Sequence, residues 1–164
     1  MITLEKMRRR DLRRIMEIEH QVFPEPWSHA VFVSELSLRR GRAYRVAKEG
    51  RQTVGYLGLM FVDDEAHVTT VAIAPEHQGR GLGRELMAAA IRIALAEGSR
   101  HVSLEVAVHN ERAQALYRRF GFVPVGVRKN YYPRTQEDAI VMFAYDVDSA
   151  AYAERLARIE GGDR

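Results

Sequence analysis

The chain has 164 residues, 46% of them hydrophobic and 29% charged, a balance typical of one folded domain and not of a disordered or low-complexity chain. The absence of cysteine excludes disulfides, thiolate metal sites and a cysteine nucleophile. The formal net charge of +3 is too small to indicate a dedicated nucleic-acid binder. Neither a secretory segment nor an apolar run of about 20 residues is present, so we expect a cytoplasmic protein without a membrane partner.

The first half of the chain predicts two helices followed by three strands. Asp11 and Ser28 are candidate N-caps for helices over residues 12–22 and 29–38, and Pro24 and Pro26 separate the two. Strands are expected over residues 43–48, 53–62 and 65–73, with turns between them. Pro75 ends the third strand.

The second half predicts alternating helices and strands. Helices are expected over residues 82–97 and 111–120, with a strand over 101–106 between them. Two strands follow, over 122–128 and 139–147, joined by a loop that holds Tyr131 and Tyr132. A terminal helix is expected from about residue 150, with a frayed tail over 161–164. The pattern predicts an α/β fold in one domain over residues 1–164, with a mixed sheet of six or seven strands and about four helices.

A glycine-rich turn joins the third predicted strand to the long middle helix. Glycines at 79, 81 and 83 expose backbone N–H groups at the start of that helix, where the helix dipole favours an anion. Arg80 and Arg84 add cations that can bind phosphate oxygens. The spacing matches neither the dinucleotide fingerprint nor the Walker motif. The turn therefore predicts a phosphate site of another kind, with a tight strand-to-helix connection as the structural alternative.

Two ordered motifs resemble the signatures of the GCN5-related N-acetyltransferase (GNAT) superfamily. Residues 78–84 are similar to its Q/R-x-x-G-x-G/A acyl-CoA signature, and residues 110–122 are similar to its N-x-x-A-x-x-[LF]-Y-x-x-x-G-F signature. Further segments, 23–28, 64–66, 104–106, 128–133 and 137–139, resemble the RimI branch, which acetylates the N-terminal alanine of a ribosomal protein. The resemblance covers about residues 12–147. It implies the GNAT fold, acetyl-CoA as co-substrate and a ribosomal-protein N-terminus as acceptor.

The resemblance also implies roles for individual residues. Glu105 would be the general base and Tyr117 the proton donor to the leaving thiolate of CoA. The cofactor-binding residues would be the strand Val71, Ala72 and Ile73, the turn Gly79, Arg80, Gly81, Leu82, Gly83 and Arg84, and Asn110. The peptide would be flanked by Pro26, Trp27, Tyr131 and Tyr132. The segment Phe23–Ser28 carries two residues more than the usual Phe-Pro-Trp-Ser.

Other functions stay open at this point. The same fold could acetylate a lysine, a polyamine or an antibiotic, or it could bind acyl-CoA without catalysis. The basic segment Lys6–Arg14, with six positive charges and one negative, could contact RNA or the ribosome, although no nucleic-acid partner is expected. The six histidines lack metal-ligand spacing, so no metal is predicted.

Overall fold

The computed structural model describes residues 1–162, and the last two residues of the predicted tail lie outside this range. Within it are seven strands and five α-helices, the fifth being the expected terminal helix. The helices are α1 (Leu12–Val22), α2 (His29–Ser37), α3 (Leu82–Ala96), α4 (Glu111–Arg119) and α5 (Ala150–Glu160). The strands are β1 (Thr3–Lys6), β2 (Arg42–Glu49), β3 (Gln52–Val62), β4 (Glu65–Ile73), β5 (His101–Ala107), β6 (Val123–Tyr132) and β7 (Glu137–Ala144).

The strands form one mixed sheet in the order β1-β2-β3-β4-β5-β7-β6, which confirms the predicted fold class. The chain divides into two compact units. The first contains residues 1–60 and 69–86, and the second contains residues 61–68 and those from 87 onward. None of the helices within residues 1–162 is long and apolar enough to cross a membrane.

The first unit is built on the antiparallel strands β1, β2 and β3. Strand β1 is absent from the sequence prediction because its four residues are all exposed and carry no buried apolar alternation. The core of this unit contains Ile15 and Ile18 from α1 and Phe32 from α2, each fully buried. Ser28 caps α2 as expected, since its hydroxyl accepts a hydrogen bond from Val31 N at 3.2 Å.

The second unit contains the parallel pairing that the crossover helix predicts. Residues 65–67 of β4 run parallel to residues 101–103 of β5, and β5 and β6 each pair antiparallel with β7. Along β5 the buried side chains of Val102, Leu104 and Val106 alternate with Glu105, as the sequence pattern indicates. This alternation places Glu105 on the face opposite Leu104.

The region after α4 differs from its prediction. Strand β6 continues to Tyr132, so Tyr131 and Tyr132 lie on a strand and not in the predicted loop. The continuation includes a register shift between Arg128 and Tyr132, and Asn130 adopts a φ of 52° there. Asp138 supports this irregular segment because its carboxylate accepts a hydrogen bond from Asn130 N at 2.9 Å. Such a bulge extends the strand beyond the point where regular alternation ends.

Candidate active site

The glycine-rich turn of the first unit has the backbone that a phosphate site needs. Gly79 and Gly81 have φ values of 79° and 82°, a left-handed conformation that side chains disfavour. Helix α3 begins at Leu82, and Glu85 N donates to Gly81 O at 3.2 Å. The N–H groups of Leu82, Gly83 and Arg84 precede this bond, so they belong to the first helical turn that lacks intrahelical acceptors. These groups fit a phosphate of acetyl-CoA.

Two cations lie at the turn, and their surroundings differ. Arg84 Nη2 lies 3.6 Å from the position that a Cβ on Gly81 would occupy, so its guanidinium is close to the turn. Arg80 instead forms a two-point ion pair with Glu49, at 2.7 and 3.2 Å, and donates to His77 Nδ1 at 2.7 Å. A phosphate would therefore compete with Glu49 for Arg80. Leu82 is buried and belongs to the core.

The first unit also contains residues 71–73, predicted to bind pantetheine, and the loop with Pro26 and Trp27 that is predicted to flank the peptide, called the peptide loop below. At the end of β4, Val71 and Ile73 are half-buried while Ala72 is buried, and Ile73 O accepts a hydrogen bond from Gln78 Nε2 at 3.1 Å. Pro26 and Trp27 are half-buried between α1 and α2. The ring of Trp27 packs against Phe32, with centroids 5.2 Å apart.

A buried carboxylate that the sequence analysis missed holds this peptide loop. Glu19 is 1% exposed and accepts hydrogen bonds from Trp27 N at 2.9 Å and from Tyr56 Oη at 2.6 Å. Burial raises the pKa of Glu19 despite these two hydrogen bonds. The first contact holds the backbone at Trp27, and the second holds the carboxylate of Glu19 in place. The sequence signal for this role is a glutamate on the face of α1 that is otherwise apolar, beside Ile15 and Ile18.

The second unit carries the candidate base. The side chain of Glu105 is 9% exposed on β5, with His67 Nε2 2.9 Å from Oε2 and Arg128 Nε 3.5 Å from Oε1. Burial raises the pKa of Glu105, but the hydrogen bond and charge of His67 and the charge of Arg128 outweigh it, so the net effect lowers the pKa below 4.5. Glu105 is therefore an ionised proton acceptor at neutral pH.

Three further polar residues, also missed from the sequence, lie beside Glu105. His67 Nδ1 is 2.8 Å from Ser103 Oγ, and that hydroxyl donates to Glu65 Oε2 at 2.8 Å. Ser103 is buried, whereas Glu65 is half-buried. The signal was available, because Glu65 and His67 are two apart on β4 and Ser103 and Glu105 are two apart on β5.

The candidate proton donor is buried in the same unit. Tyr117 on α4 is 8% exposed and packs on Phe122, with ring centroids 6.0 Å apart. Burial, together with the charge of Tyr132, raises the pKa of Tyr117 to about 12. A free thiol has a pKa near 8.5, which is lower than that of Tyr117, so proton transfer from Tyr117 to a free thiolate is unfavourable. Tyr117 can therefore stabilise a thiolate by donating a hydrogen bond. Full transfer of its proton to the sulfur requires the negative charge that develops on the sulfur as the thioester bond breaks.

Three further residues predicted from the sequence, Asn110, Tyr131 and Tyr132, belong to the second unit. Asn110 caps α4, since its Oδ1 accepts a hydrogen bond from Ala113 N at 3.1 Å. Tyr131 and Tyr132 contact each other edge to face, with centroids 5.0 Å apart. Burial and the charge of Glu105 raise the pKa of Tyr131. The tyrosine pair of β6 is thus linked electrostatically to both Glu105 and Tyr117.

One cation of the basic segment Lys6–Arg14 is paired in the structure, since Arg14 forms ion pairs with Glu17 and Glu76. The acidic residue of the segment, Asp11, pairs with Lys48 at 3.3 Å. Over the part of the chain that the structure describes, no group of three or more histidine and acidic side chains is arranged to hold a metal ion.

Comparison with known proteins decides the family. The profile of the Acetyltransferase (GNAT) family matches residues 12–122 of this chain. The chain belongs to the GNAT family. As a GNAT chain it is classed as an N-acetyltransferase, which confirms the predicted enzyme class.

Several relatives of this GNAT chain have names that state their substrate. It is 36% identical over 147 residues to the N-alpha-acetyltransferase RimI of Mycobacterium tuberculosis, covering 86% of this chain and 90% of that protein. It is 33% identical over 144 residues to the [ribosomal protein bS18]-alanine N-acetyltransferase of Escherichia coli K12, covering 87% and 96%. The crystal structure of the Escherichia coli ribosomal-protein-S18-alanine N-acetyltransferase matches with a TM-score of 0.81 at 31% identity, covering 89% of this chain and 94% of that one.

Proposed function

We propose that this GNAT chain transfers the acetyl group of acetyl-CoA to the N-terminal alanine of a small-subunit ribosomal protein. The substrate class rests on the relatives that are named as bS18-alanine N-acetyltransferases and cover most of the chain. Such a substrate places the reaction in the cytoplasm. We treat both compact units as parts of one acetyltransferase domain, because the family match at residues 12–122 runs through both.

The observation that carries the proposal is the ionised, nearly buried Glu105 on β5. An amine attacks a thioester only in its neutral form, and an α-amino group of pKa 7.7–8.0 is roughly 10–20% neutral at pH 7. A lysine of pKa near 10.4 is about 0.04% neutral at that pH. A carboxylate whose pKa lies below 4.5 is a weak base, so it suits the less basic α-amine better than lysine.

The other residues take separate roles in this reaction. Acetyl-CoA supplies the activated acetyl group. In the first unit, the N–H groups of the turn from Gly79 to Arg84 bind its diphosphate and residues 71–73 bind the pantetheine arm. In the second unit, Asn110 is a candidate contact for pantetheine. Tyr117 donates a hydrogen bond to the departing thiolate. In the first unit, Pro26 and Trp27, where Glu19 holds the backbone, are the candidate contacts for the peptide. In the second unit the candidate contacts are Tyr131 and Tyr132.

The test compares two amines in one assay. A peptide that begins with alanine and an N-terminally blocked peptide that contains one lysine are offered at equal concentration with acetyl-CoA, and CoA release is followed. We expect the free α-amine to react at least tenfold faster at pH 7, given the difference in neutral fraction. Glu105→Gln should abolish most of this activity, and Glu154→Gln on the exposed face of α5 is the matched control. A preference for lysine would refute the proposed substrate class.

A further inference from the structure

The four polar side chains Glu65, His67, Ser103 and Glu105 form one continuous row on a single face of β4 and β5. The parallel register places His67 directly beside Ser103. Successive contacts are 2.8 Å from Glu65 to Ser103, 2.8 Å from Ser103 to His67 and 2.9 Å from His67 to Glu105. The row runs from the nearly buried Glu105 through the buried Ser103 to Glu65, which is half-buried and so partly accessible to water.

Counting hydrogens shows that this row is one proton short when both carboxylates are ionised and His67 is neutral. Ionised carboxylates only accept, serine has one hydroxyl hydrogen, and a neutral imidazole has one N–H. Three contacts then share two hydrogens, so one contact lacks a hydrogen. One added proton completes all three contacts, whether it rests on Glu105, on His67 or on Glu65. The row can therefore hold the same proton at either end without losing a contact.

Acetylation of an ammonium group releases one proton that must leave the site. The ammonium and the thioester yield an amide, a thiol and one proton, since the second N–H proton goes to the sulfur. Glu105 is a poor final acceptor for the released proton because a carboxyl group has an ordinary pKa of about 4.3, far below that of an α-amine. Its contact with His67 offers an exit.

We propose that His67, Ser103 and Glu65 form a proton relay that carries the substrate's ammonium proton from Glu105 to water. This inference rests on the proposed function. An N–H bond of the ammonium breaks as an O–H bond forms on Glu105, and that proton moves to His67 Nε2. The Nδ1 proton of His67 then moves to Ser103 Oγ while the hydroxyl proton of Ser103 moves to Glu65. Glu65 releases its proton to water. His67 is left with its proton on Nε2, and because its side chain is 21% exposed it exchanges this proton through water for one on Nδ1 before the next turnover. No step changes an oxidation state.

The test uses variants that interrupt the row at three points. His67→Gln, Ser103→Ala and Glu65→Gln are assayed with acetyl-CoA and the alanine peptide at pH 6.5 and at about pH 9.5, above the pKa of the amine. The matched control is Ser99→Ala, another buried serine of the second unit, which lies outside the row. Thermal unfolding of each variant establishes that it is folded. If one variant does not fold, the other two carry the test.

At pH 6.5 we expect each interruption to lower kcat about tenfold or more, while the KM for peptide and the Kd for acetyl-CoA stay unchanged. His67→Gln combined with Ser103→Ala should lose no more than His67→Gln alone, because the two act in series. At about pH 9.5 the peptide arrives as a neutral amine and has no proton to release, so variants and wild type should converge. Arg128 and Tyr131, the other groups that interact with Glu105, are intact in every variant and cannot cause this difference.

The outcomes separate the relay from the proposed function. Wild-type kcat at pH 6.5 in all three variants, or a loss of equal size at both pH values, would overturn the relay and leave the transferase function standing. A wild-type protein that does not acetylate the alanine peptide would instead overturn the proposed function.

Discussion

Gly81 tests the phosphate site because its backbone conformation disfavours a side chain, whereas the space around it can hold one. Its φ of 82° is unfavourable for any residue with a Cβ, yet a Cβ there would meet only Arg84 Nη2, at 3.6 Å. Alanine at this position therefore causes no clash. Its cost is the left-handed conformation alone, about 1–2 kcal/mol.

We expect Gly81→Ala to weaken acetyl-CoA binding by about 5- to 30-fold, which is 1–2 kcal/mol expressed as a change in Kd. The exposed turn can relax in the free protein, and binding must then restore the positive φ that directs the N–H groups at the diphosphate. Gly50 is the matched control, since its φ is 62° and no atom lies within 4 Å of its Cβ position. It occupies the hairpin between β2 and β3, so Gly50→Ala should lower the free energy of unfolding by about 1–2 kcal/mol and leave the Kd unchanged.

Isothermal titration calorimetry with acetyl-CoA, alongside urea unfolding of both variants, measures the two effects. Titration with CoA itself should show the same ratio between variants, because the contact involves the diphosphate and not the acetyl group. If Gly81→Ala binds acetyl-CoA with wild-type affinity, the turn does not hold the diphosphate through its main chain.

Other predictions concern the two proton-transfer residues and the core below the peptide loop. Glu105→Gln should lower kcat about 10²- to 10⁴-fold with unchanged Kd for acetyl-CoA, and an unchanged kcat would remove Glu105 as the base. The same substitution should make the free energy of unfolding depend less on pH in acid. The lowered pKa of Glu105 stabilises the wild-type fold above about pH 4.5, and this contribution is lost as the pH falls below that value. Tyr117→Phe keeps the packing on Phe122, so it should slow turnover about 10²-fold without lowering Tm, and a normal single-turnover rate would argue against its role. Phe32→Ala should cost about 3–5 kcal/mol in the free energy of unfolding, because Phe32 is fully buried between Trp27 and Tyr56, and a loss below 1 kcal/mol would contradict that packing.

Most of the fold follows from local patterns in the sequence. The apolar spacing of α1, the cap at Ser28 and the alternation on β5 each predict what the structure contains. Strand β1 could not be predicted, because an exposed edge strand of four residues buries nothing that marks it. The extension of β6 to Tyr132 depends on a bulge and on Asp138 across the pair, which no local pattern specifies.

The site is less visible from the sequence than the fold, because its chemistry depends on which strands are neighbours. The turn at Gly79–Arg84 and the signature at Asn110–Phe122 are contiguous, so they can be recognised one residue after another. The row that includes His67 and Ser103 requires the parallel register of β4 and β5, and the register is a tertiary property. The role of Glu19 likewise depends on its hydrogen bond with Tyr56, a residue 37 positions further along the chain.

The central claim, acetyl transfer to an N-terminal α-amine, is tested most directly by locating the acetyl group. A peptide that begins with alanine and contains one internal lysine is incubated with the protein and acetyl-CoA at pH 7, and its products are fragmented by tandem mass spectrometry. The account predicts one acetyl group on the alanine nitrogen and none on the lysine. An acetyl group on the lysine side chain, with the alanine nitrogen unmodified, would contradict it.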